Sequence, residues 1–363
     1  MTLDRTLHWL EKLVAFDTRN GIGDERPCAQ FLKTALAAHA PDSLIFETVP
    51  RSRGRSDGAY VLASWGRPQV LLNVHLDTVP SGEGWTSDPH TLADADDRVV
   101  GLGTSDIKGA MACILAAMEQ GKPDNVAVLF SGDEEAGSEV MEAIVARGHM
   151  SAAPRAIICE PTGCEVGQRH RGFMAYMARY TGPGGHSSLS DTVAAPVLSA
   201  ARLAAALGDY GKANLDAGNG SYNGLCVNVG MIDSDGAHNV IPTRAELRVS
   251  LRPPPGDDIA ARETDLARIF KSHAPDELSC MALHPPLQTR DLSGFAPYFS
   301  GQETRPIDLP YWTEAAMLSA AGVDCVVYGP GDVEQAHRPN EFVTKAQLET
   351  ASKVYAKALF NNG

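Results

Sequence analysis

Residues 70–77 read Val70-Leu-Leu-Asn-Val-His-Leu-Asp77. Val70 to Val74 is a short, dense apolar run of the kind expected of a strand buried on both faces of a parallel sheet. It delivers His75 and Asp77 at its end. Val126 to Phe130 and Ala156 to Cys159 are runs of the same type. A helix-like stretch, Lys108 to Gln120, lies between the first two, and another, Ser138 to Arg147, between the second and third. This βαβ rhythm predicts an α/β fold, a mixed and mostly parallel sheet flanked by helices.

The pattern changes near Phe173. Met174 to Tyr180 is strand-like, and Thr192 to Leu207 is Ala/Leu-rich and helical. Cys226 to Ile232 follows, then Ala245, Leu247, Val249 and Leu251 in strict alternation. A helix over Asp257 to His273 and a strand over Leu278 to Leu283 complete the series. The order is βαββαβ, the split ferredoxin-like pattern of a small unit. Pro253-Pro254-Pro255-Gly256 and Pro285-Pro286 mark its edges, and Asn214 to Gly224 reads as a flexible loop inside it. Beyond it come a helix from Thr313 to Ala321, a buried strand from Val323 to Tyr328 and a closing helix from Thr344 to Phe360. The expected organisation is a catalytic domain over 1–171 and 286–363, interrupted by an inserted domain over 172–285.

Length and composition support this division. A chain of 363 residues exceeds one average core. Lys plus Arg total 31 against 45 Asp plus Glu, a formal charge of -14. Such a field repels polyanions and argues against nucleic acid as a partner. The seven cysteines, Cys28, Cys113, Cys159, Cys164, Cys226, Cys280 and Cys325, form no CxxC pair and read as small interior hydrophobes in a reducing compartment. Leu3, Leu7, Leu10, Leu13 and Val14 line one face of a first helix, with no basic start and apolar core ahead of it, so no signal peptide is expected. No apolar run approaches the ~20 residues that span a bilayer. A soluble, cytoplasmic protein without a membrane partner is the expectation.

The chemistry gathers at strand ends. Asp77 stands two residues after His75, so its carboxylate can meet one ring nitrogen while the other binds a metal; a surface His beside an acid is the bland alternative. Asp106, in Gly103-Thr-Ser-Asp-Ile-Lys-Gly109, reads either as an N-cap or as a carboxylate bridging two metals. Phe130-Ser-Gly-Asp-Glu-Glu-Ala-Gly-Ser138 crowds three acids, a repulsive arrangement unless cations are near. Glu134 and Glu135 there divide between base and metal ligand, or simply open a helix. Glu160 follows an apolar run and is stopped by Pro161, at the carboxyl edge where α/β sheets place ligands. His337 lies in a loop after the last sheet strand. Together these positions point to a metal-dependent hydrolase.

The strings NVHLDTVP (73–80), GLGTSDIKGA (101–110), SGDEEAGS (131–138), CEPT (159–162), GPGGHSS (182–188) and YGPGDVEQAHRPNEF (328–342) resemble the co-catalytic zinc peptidase and deacylase family. That family includes acetylornithine deacetylase, succinyl-diaminopimelate desuccinylase and carboxypeptidase G. The match spans essentially the whole chain in order. Phe16-Asp17-Thr18-Arg19-Asn20 and Trp312-Thr313-Glu314-Ala315 make it most similar to the acetylornithine and acetylcitrulline deacetylases.

The resemblance implies a ligand set: His75 and Glu160 on one metal, Glu135 and His337 on the other, Asp106 bridging. Asp77 would orient His75, and a cis peptide is expected at Asp106-Ile107. Two Zn²⁺ ions, with Co²⁺ or Mn²⁺ as alternatives, would acidify a shared water. Glu134 would take its proton and pass it to the departing amine. His186, on the inserted lid, would contact the oxyanion, from its own or a partner subunit. Arg252, Asn239, Arg171 and the Gly329 and Gly331 backbone are candidates to hold the carboxylate of an N-acyl amino acid. A strand-edge salt bridge competes for Arg252. Glu314 either meets a polar substrate tail or caps the next helix. The implied activity is deacetylation of N-acetylornithine or N-acetylcitrulline in arginine synthesis, by a homodimer paired through the lid. A desuccinylase or dipeptidase of the same family, and a non-catalytic metal- or carboxylate-binding protein, are the alternatives.

Overall fold

The computed structural model describes residues 3–52 and 55–360. The chain divides into two compact units. The first comprises Met1–Gln168, Thr289–Ile307 and Thr313–Gly363; the second comprises Arg169–Gln288 with Asp308–Trp312.

The first unit is built on one mixed sheet. Part of the sheet runs in the order Ser43–Val49, Gly58–Trp65, Val126–Ser131, Val70–His75, Arg155–Ile158 and Asp324–Val327, with Val166–His170 next to the last. The four from Val126–Ser131 to Asp324–Val327 are parallel, and both margins are antiparallel, at Ser43–Val49 with Gly58–Trp65 and at Val327 opposite Gly167. Val70–His75 and Val126–Ser131 are buried at every residue, as their unbroken apolar runs require. The helix Lys108–Met118 is also buried throughout, packed against the first helix, Leu3–Val14, and the last, Lys345–Phe360. The carboxyl ends of the parallel strands therefore share one edge, and each releases its loop there.

The second unit follows the order strand Phe173–Thr181, helix Pro196–Ala213, strands Cys226–Ser234 and Arg244–Arg252, helix Ile259–His273 and strand Glu277–His284. The sheet order is Cys226–Ser234, Arg244–Arg252, Phe173–Thr181, Glu277–His284, all antiparallel. This is the split βαββαβ arrangement. Met174, Tyr176, Ala178 and Tyr180 alternate with Leu247, Val249 and Leu251 to bury one face against Leu203, Leu207, Leu266 and Phe270 of the helices.

Some boundaries differ from the sequence reading. The first helix of the second unit starts at Pro196, not Thr192. Proline lacks the N–H that a helix interior needs, is preorganised for the first helical position, and keeps Ala195 extended. Cys226 and Cys280 are exposed; the other five cysteines are buried. The marginal hairpin Ser43–Val49 and Gly58–Trp65 lacks a motif that singles it out in the sequence. Among the described residues no helix is long and apolar enough to cross a membrane.

Candidate metal centre

Five side chains converge at the carboxyl edge of the parallel strands. His75 ends its strand, buried, with Nε2 3.0 Å from Asp106 Oδ1 and 3.7 Å from Glu160 Oε2. On the other side His337 Nε2 lies 2.6 Å from Glu135 Oε1 and 3.4 Å from Asp106 Oδ2. Asp106 thus turns one oxygen to each imidazole. The triads His75, Asp106, Glu160 and Asp106, Glu135, His337 each have ligand atoms within 4.8 Å of one another. The peptide Asp106-Ile107 is cis.

Asp106 is not a helix cap. The capping position of Lys108–Met118 is Ile107, without a side-chain hydrogen bond. Glu341, 2% exposed, instead secures the bridging loop: its Oε1 accepts from the N–H of Ser105 (2.8 Å) and Asp106 (2.9 Å), and its Oε2 from Gly103 (2.9 Å).

Electrostatics tests whether cations fit. Burial, then the charge of Glu160, pushes the Glu134 carboxyl well above its usual range. Burial and Asp106 push Glu135 up to about 7. Asp106 and Glu135 hold the His337 imidazole up to about 10. Burial opposes ionisation of Asp106, yet hydrogen bonds from His337 and His75 outweigh it and hold that carboxyl low. Alongside burial, crowded carboxylates raise Glu134 and Glu135, and Asp106 and Glu135 keep the His337 imidazole protonated. Mixed N/O donors around a shared carboxylate are what a pair of divalent cations would neutralise, so the donor set fits.

The sequence model of peptidase family M20/M25/M40 matches residues 71–361. The chain belongs to this family. An N-acetyl-L-citrulline deacetylase of Xanthomonas campestris pv. campestris is 36% identical over 96% of this chain and 95% of its own length. An acetylornithine deacetylase of Proteus mirabilis is 32% identical, covering 88% of this chain and 86% of its own. An M20 family metallo-carboxypeptidase from Sulfolobus solfataricus, Sso-CP2, has a TM-score of 0.74 at 18% identity, with 98% of each chain covered, a likeness of fold.

In this M20 chain the Asp77 carboxylate has partners besides His75. His75 Nδ1 is 2.9 Å from the backbone carbonyl of Asp77, whereas the carboxylate Oδ1 stands 3.5 Å away. The carboxylate also accepts from the N–H groups of Glu134 and Glu135, each at 3.0 Å, and from Asn20 Nδ2 at 2.5 Å. It therefore ties the strand of His75 to the turn Glu134–Ala136, which presents both glutamates.

Gly329 and Gly331 pack against the loops that carry Glu160 and Asp106. A Cβ on Gly329 would lie 2.6 Å from the Glu160 carbonyl, and one on Gly331 2.3 Å from Ser105 Oγ. Their carbonyls already accept from Cys164 (2.9 Å) and Gly163 (2.7 Å). Glu314 is buried at the start of helix Ala315–Ala320 without capping it. Its Oε2 accepts from Ser131 Oγ at 2.7 Å, Ser131 accepts from Asn73 at 2.9 Å, and burial pushes the carboxyl up to about 8.

The remaining candidates lie in the second unit. His186 is exposed on the short strand Gly185–His186, paired to Val240–Ile241, with Nδ1 2.9 Å from Ser188 Oγ. Asn239 is beside it, its carbonyl accepting from the Ser187 N–H at 3.2 Å. Arg252 stacks on Phe173, 4.2 Å from the ring centroid, with no ion pair among the described residues. Arg171 is spent on the carbonyls of Tyr222 (2.9 Å) and Asn223 (2.8 Å), holding the loop expected to be flexible.

The sequence reading gives no role to Glu341, Asn20 or Ser131. Each acts through contacts with residues distant in the chain. The signal available for Glu341 was an acid four positions after His337, in the same loop.

Proposed function

We propose that this chain removes the acetyl group from an N-acetyl-L-amino acid, N-acetylcitrulline or N-acetylornithine, as a metal-dependent amidohydrolase of arginine synthesis. The observation that carries the reading is the pair of triads sharing Asp106, with Glu134 adjacent to Glu135, in a chain similar over nearly its whole length to a deacetylase. His75 and Glu160 would hold one ion and Glu135 and His337 the other, with Asp106 between them; Zn²⁺ is the proposed metal. Bound there, the ions would acidify water and polarise the acyl carbonyl.

The chain's own groups do the rest. Glu134 accepts the water proton and returns it to the departing amine nitrogen. Its buried setting, among carboxylates, raises its proton affinity toward that task. Asp77 orients the turn that presents it. His186 of the second unit, read as the lid, donates to the oxyanion, and Arg252 and Asn239 meet the substrate carboxylate. A homodimer paired through the lid, in the cytoplasm, completes the reading.

Metal analysis with a turnover screen of N-acetyl and N-succinyl amino acids and dipeptides tests it. Hydrolysis of acetylated citrulline or ornithine with bound divalent metal is expected. Turnover confined to dipeptides would overturn the substrate assignment. Glu134→Gln should lose at least about 10³-fold in kcat with metal retained; ordinary turnover would remove Glu134 as the base.

A further inference from the structure

The turn that carries Glu134 and Glu135 is conformationally costly. Asp133 and Ser138, at its two ends, both have left-handed backbone angles, φ 69° and 57°. Such conformations are disfavoured for non-glycine residues and persist only where surrounding contacts impose them. Asp77 grips the turn from the strand side. On its other side stands the segment joining the two marginal strands Ser43–Val49 and Gly58–Trp65, which bears Arg51 and Arg55.

Asp133 is fully buried, and both arginines converge on its Oδ1, Arg51 at 3.1 Å and Arg55 at 2.5 Å. Its Oδ2 accepts from the Glu139 N–H at 3.0 Å. Arg55 continues along the turn, donating to the Ala136 carbonyl at 2.9 Å and to Glu139 Oε1. Glu139 in turn accepts from Ser52 N and Oγ, both at 2.7 Å. Arg51 is fastened from behind by Ser56 O at 2.5 Å and Ser56 Oγ at 2.9 Å, and it faces Glu25 Oε2 at 3.5 Å. Glu25 accepts from the Ala59 N–H at 2.8 Å and lies so close to Gly132 that a Cβ there would meet its Oε1 at 1.8 Å. Three elements thus lock one turn, at both of its ends and at its middle carbonyl.

We propose that Arg51 and Arg55 are positioning residues that clamp the Asp133–Glu139 turn and so set where the Glu134 carboxylate stands. The inference rests on the reading of Glu134 as the base. Arg55 is the better handle, because its side chain is 22% exposed against 5% for Arg51, and its loss leaves Arg51 on Asp133.

Hydrogen–deuterium exchange of the metal-loaded protein, without substrate, reads the clamp directly. Arg55→Ala should speed exchange across residues 132–139 while the helix Lys108–Met118 stays protected. It should lower kcat roughly 10- to 100-fold with KM within about twofold, as expected when a reacting group shifts by about an ångström. Guanidinium ion added to Arg55→Ala should recover part of both effects; Arg55→Lys, which keeps charge without the fork, should fall between. Unchanged exchange over 132–139 sinks the clamp whatever the activity. Faster exchange with unchanged kcat sinks it too, provided Glu134→Gln is inactive. Should Glu134→Gln remain active, the base assignment fails separately, and the exchange data still judge the clamp.

Discussion

Replacing Glu341 by Gln isolates the role of one buried carboxylate in holding the bridging ligand. With the amide oxygen on the Ser105 and Asp106 N–H groups, the new NH₂ faces the Gly103 N–H, which Glu341 accepts at 2.9 Å. One hydrogen bond is lost, and two donors confront each other at a site only 2% exposed. Leaving a buried donor unpaired costs roughly 1–3 kcal/mol. At about 2 kcal/mol, expressed wholly in the position of Asp106, metal retention should weaken roughly 30-fold. Competition against a graded chelator measures it, alongside thermal melting, where the same loss lowers Tm by roughly 4–8 °C. A Glu341→Gln protein that holds metal within about threefold of wild type, and melts within about a degree, would refute the argument that this carboxylate sets the bridging loop.

Two further predictions follow from groups the sequence reading cast differently or passed over. Asp77→Asn keeps the backbone carbonyl that meets His75 Nδ1 but sets an amide against the Glu134 or Glu135 N–H. It should therefore cut kcat about 10- to 100-fold with little change at the His75 side, and a kcat within threefold of wild type would contradict it. His170, fully buried, has its imidazole pushed down to about 4 by burial. The folded state refuses a proton that the unfolded chain takes up below about pH 6.5, so this stability is present above pH 6.5 and is lost as pH falls toward 4, to roughly 3 kcal/mol. Urea unfolding at pH 7 and 4.5 should show a smaller pH loss in His170→Gln than in wild type; equal losses would dismiss the assignment.

The positions that converge at the sheet edge were legible because their physics is local. His75 and Glu160 follow apolar runs that have to be buried strands, and a strand's end fixes the sheet edge on which the next residue emerges. Glycines flanking Glu134-Glu135 signalled a turn at the same edge. The second unit was equally readable, since alternation at Ala245, Leu247, Val249 and Leu251 specifies a half-buried strand without knowledge of its partners. Helix starts were less so: apolar periodicity ran through Thr192, and only the backbone chemistry of Pro196 ended it.

What the chain order and residue types decided alone is therefore which side chains reach the carboxyl edge of the parallel strands. What each does there was decided in three dimensions. Asp106 faces His75 and His337 and leaves the helix start uncapped, and Asp77 spends its carboxylate on a turn some 57 residues away. Arg171 serves a loop, and Glu341 reaches back 235 positions to the amide of Asp106. Hydrogen bonds of that span depend on where the packed backbone brings donors and acceptors, and no local period in a sequence records it.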